Sequence, residues 1–377
     1  MHRITFFNLG NADSWRVDLD NGKKVLFDYA AMCDPDDDDD KRIDLREELL
    51  TDLKNSKKGG FEIVAFTHLD DDHTHGADEF FHLDHNKKYQ SDDRAIIETL
   101  WVPAGVITES RNNLEVGAKA IQAEARYRLE KGERIRVFSR PEALKDWLEG
   151  KGLTLKSREH LITDAGQVAP ELNLEKDGVE FFIHSPFGWR QDDGTVEDRN
   201  RDSLVTQATF VIDEEETRLI LGSDVDYEAL SDIVTVTRKH RRDSRLEWDI
   251  FKLPHHCSYK SLGPELGVDK TEPVDEVDWL FKVQGQIRCI TISSSNPIPT
   301  KGSKEDDSVQ PPHRQAAAYY NEVAEVKDGE FIVTMEFPST DQPEPIEIEI
   351  SGHGAKTRKK QVGGAAAIIS TTAPRAG

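Results

Sequence analysis

Within eight residues, Phe66-Thr67-His68-Leu69-Asp70-Asp71-Asp72-His73, the chain gathers two imidazoles and three carboxylates. They follow Ile63-Val64-Ala65-Phe66, an apolar run that predicts a buried strand. Charged groups crowded onto a strand end repel one another and lose hydration unless a positive centre sits among them. A divalent cation would be that centre, with His nitrogens and Asp oxygens as its ligands. The competing reading is an acidic solvent loop that happens to carry two His.

Further residues able to bind metal or move protons punctuate the rest of the chain. Asp28 ends Lys24-Val25-Leu26-Phe27-Asp28, and Asp224 ends Leu219-Ile220-Leu221-Gly222-Ser223-Asp224. Phe251-Lys252-Leu253-Pro254 runs into His255-His256-Cys257-Ser258, and Pro312-His313 follows Ser294-Ser295-Asn296 after a gap. Together with Phe7-Asn8-Leu9-Gly10-Asn11-Ala12-Asp13-Ser14 and Asn200-Arg201-Asp202-Ser203-Leu204-Val205, these segments resemble, in order, the metallo-β-lactamase superfamily. Its usual first metal motif is His-x-His-x-Asp-His. The form with Asp in second place, as here, is similar to the hydrolase domain of the ComEC-type competence proteins. The resemblance spans roughly residues 3 to 320.

That resemblance implies an α/β fold, a four-layer αββα sandwich, and a dinuclear site where a metal-bound hydroxide attacks the substrate. His68 and Asp70 would serve one cation, Asp72 and His73 the other, and Asp224 would bridge them. The order Pro254-His255-His256 favours His256 as the remaining ligand. His255 would stand behind the ligands or contact substrate, Asp72 would also orient the nucleophile, and His313 would protonate the leaving group. The region of a further His ligand has no Gly-His-Thr here; His184 or Asp202 could substitute. A site so rich in carboxylates shifts preference from Zn²⁺ towards Mn²⁺ or Mg²⁺. Cys257 replaces the subgroup's Gly, either as a ligand or as a small buried residue. His75 would flank the entrance, and His82 and His85 read as ordinary surface or core histidines.

Composition bounds the function classes. Acids outnumber bases 72 to 49, for a net charge of −23, which opposes a grip on long nucleic acid. Local basic runs, Arg199 with Arg201 and Arg238 to Arg242, are the exceptions, each a phosphate cradle or a solvated face. No apolar run reaches the ~18 residues that cross a membrane. Three scattered Cys and no visible leader point to a reducing cytoplasm. The leading expectation is a phosphodiesterase or nuclease acting on a phosphoester, with a nucleotide or nucleic acid as candidate substrate. A hydrolase of a small ester, lactone, thioester or amide is the alternative, followed by a non-catalytic scaffold.

Periodicity sets the framework. Helices are expected over Arg42 to Leu53, Asn113 to Gly132 and Pro141 to Leu148, and strands over Val179–Ile183 and Ile287–Ile292. Thr206–Ile212 and Thr217–Leu221 read as a hairpin, and Phe331–Phe337 is expected to pair with Ile346–Ile350. The acid run Asp34 to Asp40 lacks the alternate-residue spacing of a Ca²⁺ loop and reads as a mobile loop before a helix. Residues 1–350 would form the hydrolase domain. Residues 78–170 would be a helical insertion beside the site, a candidate lid or protein-partner surface, and 351–377 a disordered tail.

Overall fold

The computed structural model describes residues 1–111, 113–193 and 199–358. In chain order its strands are β1 (His2–Phe6), β2 (Trp15–Asp18), β3 (Lys24–Phe27), β4 (Gly60–Ala65), β5 (Ile96–Pro103), β6 (Ile135–Phe138) and β7 (Ile162–Thr163). There follow β8 (Val179–Ser185), β9 (Val205–Ile212), β10 (Glu215–Leu221), β11 (Trp248–Lys252), β12 (Gly285–Ser293), β13 (Glu330–Val333), β14 (Ile346–Ser351) and β15 (Gly354–Thr357). They form a nine-stranded sheet, β15-β14-β1-β2-β3-β4-β5-β6-β7, and a six-stranded sheet, β13-β12-β11-β10-β9-β8.

Three apolar clusters show how the layers stack. The central one joins Ile4, Phe6, Val25, Phe27 and Trp101 of the first sheet to Phe181, Phe210, Leu219 and Ile250 of the second. A second cluster seats Leu45, Leu49, Ile121, Leu129 and Leu148, all from helices, on the outer face of the first sheet. The third seats Ile233, Val277, Phe281 and Tyr320 on the outer face of the second. Each side chain so buried contributes roughly 1.5–3 kcal/mol. Helix, sheet, sheet, helix is the four-layer α/β architecture that the sequence predicts.

The strand directions carry the function. β3, β4 and β5 are mutually parallel, as are β10, β11 and β12, so each trio ends on one edge of its sheet. Asp28, His68, Asp224 and His256 all lie just beyond those carboxyl ends. Loops there are free of ladder hydrogen bonds and can turn side chains towards a common space. The amide of Leu204, entering β9, donates to the Thr67 carbonyl at 3.0 Å and joins the sheets at this edge.

Three expectations need correcting. Residues 78–170 are not helical throughout, because β5, β6 and β7 extend the first sheet and the helices Val116–Lys131 and Glu142–Gly150 cover it. β-Branched Ile97, Val102, Ile135 and Val137 in those short runs are buried on the sheet, where they fit better than on a helix. Second, Phe331 does not pair with the final strands. β13 lies parallel to β12, and β14 crosses to the other sheet and pairs with β1. Third, the tail does not start at 351. Ser351 ends β14, and β15 pairs with it through residue 357; residues 359–377 lie outside the described residues.

Candidate metal centre

Three imidazoles are held with the same nitrogen facing inward. His73 Nδ1 donates to Asp28 Oδ2 at 2.8 Å, and His256 Nδ1 donates to the Ser294 carbonyl at 2.7 Å. Thr67 settles His68: its hydroxyl donates to Asp28 Oδ2 at 2.8 Å and accepts from His68 Nδ1 at 3.1 Å. Asp28 in turn is fixed by the Thr67 amide at 2.7 Å. With every Nδ1 engaged, each ring presents Nε2, the form of imidazole that binds metal.

The carboxylates complete the group. Ligand atoms of Asp72, His73, Asp224 and His256 all lie within 4.8 Å of one another. His73 Nε2 is 3.3 Å from Asp224 Oδ1, and His256 Nε2 is 3.1 Å from Asp72 Oδ2. His68 stands beside them, its ring centroid 4.0 Å from that of His73. His68 Nε2, His73 Nε2 and Asp224 Oδ1 are buried without any hydrogen-bond partner. Unsatisfied buried polar atoms are costly, and several aimed at one space fit a cation there.

Electrostatics separates the rings. Burial alone would strip His73 of charge, but Asp28 and Asp224 outweigh it and raise its pKa well above the usual value. His256 is likewise lifted to about 9, burial being outweighed by Asp224 and Asp72. Around them the Asp224 carboxyl is driven well below its usual range, burial being overcome by His73 and His256. His68 goes the other way, lowered by burial and by the neighbouring His73.

The His255-His256 segment is locally strained. His255, His256 and Cys257 take φ of 49°, 52° and 64°, three successive left-handed residues, each costing roughly 1–2 kcal/mol. Hydrogen bonds hold the turn: His255 N donates to Ser223 O at 2.9 Å, and His313 N donates to Cys257 O at 3.1 Å. Gly222 permits the approach, since a Cβ there would meet Lys252 O at 2.9 Å. The left-handed φ accounts for glycine suiting position 257 in the family resembled, and Cys257 fills it as a buried side chain of the outer core.

Below the ligands lies a buried ion pair. Lys252 donates to Asp13, whose backbone amide donates to Asp72 O at 2.9 Å. Above them, Arg199 holds Asp70 Oδ1 at 2.7 Å, Glu109 Oε2 at 2.9 Å and Asn113 Oδ1 at 3.0 Å. Asp70, expected beside His68, therefore stands outside the four-residue group, its other oxygen 3.7 Å from His68 Nε2. The guanidinium gives it a charge-assisted partner. Residues 78–170 reach the site here through Glu109 and Asn113. They also brace the motif: a Cβ on Gly117 would lie 2.0 Å from Thr74 O, so the Val116–Lys131 helix packs directly on the Asp71–Thr74 turn.

Other expected residues fall elsewhere. His255 is outside the ligand group, and burial lowers its pKa. His313 accepts from the Tyr259 amide at 3.4 Å, and burial with the nearby His255 pushes it down to about 4. Neither His184 nor Asp202 joins the group; His184 donates Nε2 to Arg245 O at 2.8 Å. His75 is exposed and bonded to Asp71, while His85 is bonded to Glu124. His82 lies 3.5 Å from Asp84. The basic run starting at Arg238 sits at the end of the Tyr227–Lys239 helix remote from Asp226, about 20 Å along the axis. Arg238 there stacks on Trp279.

The fold and the ligand group together define a two-sheet α/β protein with a His/Asp centre at its strand ends. No protein-family model matches the sequence, and no curated relative matches it. Among solved structures the chain is similar to unliganded yeast PDE1, at 11% identity and a TM-score of 0.45, over 88% of this chain and 96% of that one. It is also similar to a diphosphatase from the PhnP family, at 11% identity and a TM-score of 0.29, over 78% and 87%.

Proposed function

We propose that the protein is a metal-dependent phosphodiesterase that cleaves short or small phosphodiesters. The supporting observation is the inward-facing Nε2 of His68, His73 and His256, locked from behind by Thr67, Asp28 and the Ser294 carbonyl. Two divalent cations would be held by His68 and Asp70 on one side and Asp72, His73 and His256 on the other, with Asp224 between them. Bound cations would lower the pKa of water from 15.7 to roughly 7 and offset charge on the phosphoester. Mn²⁺ or Mg²⁺ suits the carboxylate-rich set, and Zn²⁺ remains open.

The chain's own groups divide the remaining work. Asp224 is buried, whereas Asp72 is 31% exposed. Asp72 would orient the water, and its carboxyl stays ionised because His256 and His73 overcome its burial. His255, beside the ligands and neutral, would contact substrate rather than carry charge. An overall charge of −23 disfavours long duplexes.

The test is chelator-stripped protein reloaded with Mn²⁺, Mg²⁺ or Zn²⁺ and assayed on bis-p-nitrophenyl phosphate. Hydrolysis should return with metal, and Asp224→Ala and His73→Ala should each lose at least about a thousandfold in kcat/KM, roughly 4 kcal/mol. Turnover of lactones or thioesters without any diester hydrolysis would overturn the reading. So would loss of less than one equivalent of bound metal in Asp224→Ala.

A further inference from the structure

We propose that Arg199 is the phosphate-recognition residue of this centre, freed for that role when Asp70 turns towards a cation. The inference rests on the phosphodiesterase reading and names the group that selects an anionic substrate. In an acidic chain such a substrate needs local positive charge. Arg199 brings it to the rim, 15% exposed, one salt bridge from the ligand His68.

The rim is built to let one partner go. Nε of Arg199 is fixed by Glu109 and Nη2 by Asn113, so the plane of the guanidinium stays put when Nη1 changes acceptor. Glu109 is nearly buried and shared with Arg111, at 2.6 Å and 2.7 Å. Burial alone would raise its carboxyl, yet the two guanidinium groups outweigh it and bring it to about 2. Among the described residues, Arg199 thus spans Glu109, Asn113 and Asp70. Moving Asp70 to a cation beside His68 would leave Nη1 of Arg199 without that carboxylate. A phosphate oxygen is the natural replacement for a carboxylate oxygen on Nη1.

The closing experiment uses full-length protein loaded with Mn²⁺, with bis-p-nitrophenyl phosphate as substrate and inorganic phosphate as competitor. Arg199→Ala should raise KM and the phosphate inhibition constant by about ten- to a hundredfold, with kcat changed far less. Arg199→Lys should recover part of the loss. Calorimetry of inorganic phosphate with metal-free protein supplies a readout independent of turnover: Asp70→Asn should bind several-fold more tightly than the parent. Unchanged KM and inhibition constant in Arg199→Ala, with an active parent, overturns the proposal. Equal phosphate binding by parent and Asp70→Asn overturns it as well. Should Arg199→Ala fail to fold, the Lys and Asn variants decide. An inactive parent would refute the phosphodiesterase reading instead, and calorimetry would still judge Arg199.

Discussion

Two ion pairs beside the His/Asp group are built in opposite ways. Lys252–Asp13 lies beneath them with both side chains 2% exposed or less, whereas Arg199–Asp70 lies above them at 15% and 35%. The lower pair cannot be solvated, so each charge requires the other. Lys252 keeps its proton because Asp13 and Asp224 overcome the effect of burial. The upper pair can exchange partners with water or a ligand at little cost. A site that must be rigid where it holds ligands and adaptable where it meets substrate would separate its salt bridges in this way.

The largest effect expected is on the floor. Lys252→Met strands Asp13 and should cost about 3–5 kcal/mol in urea unfolding, while Arg199→Gln should cost about 1 kcal/mol. Equal losses would break the comparison. The next effect is on pH. His256 in metal-free protein has its pKa raised from 6.5 to about 9, so its stabilising charge is fully present below pH 6.5 and lost as pH rises through 9. Stability should fall over that window by on the order of 3 kcal/mol, and His256→Gln should flatten the slope. A slope unchanged by that variant would place the linkage elsewhere. The smallest effect is Asp70→Asn, expected within about 1 kcal/mol of the parent in stability but binding fewer Mn²⁺ by equilibrium dialysis. Undiminished Mn²⁺ binding would remove Asp70 from the ligand set.

The ordered resemblance singled out Asp72, His73, Asp224 and His256, which the fold brings within 4.8 Å of one another, and His68, which stands beside them. Periodicity likewise gave the helices over the first sheet and the β9–β10 hairpin, but not the Tyr227–Lys239, Asp275–Lys282 and Arg314–Val326 helices over the second. Other parts depend on contacts between distant segments. Glu109 and Arg199 are 90 residues apart, and no local pattern pairs them. Lys252 reads as an ordinary strand residue until the turn at Asp13 is laid against it. The acid run was readable only in part: Asp40 accepts from Arg42 at 2.6 Å, and the run leads into a helix capped by Asp44. β14 misled because Ile346–Ile350 alternates like any half-buried strand, and alternation does not name a partner.

The β1–β14 pairing sets an order of events during synthesis. His2 lies opposite Ile350, so one edge of the first strand stays open until residue 350 has left the ribosome. At ordinary elongation rates that wait is roughly 20–70 s, during which Ile4 and Phe6 lack their final neighbours. A nascent chain halted before Ile346 should therefore depend on a chaperone in a way that one released after Thr357 does not.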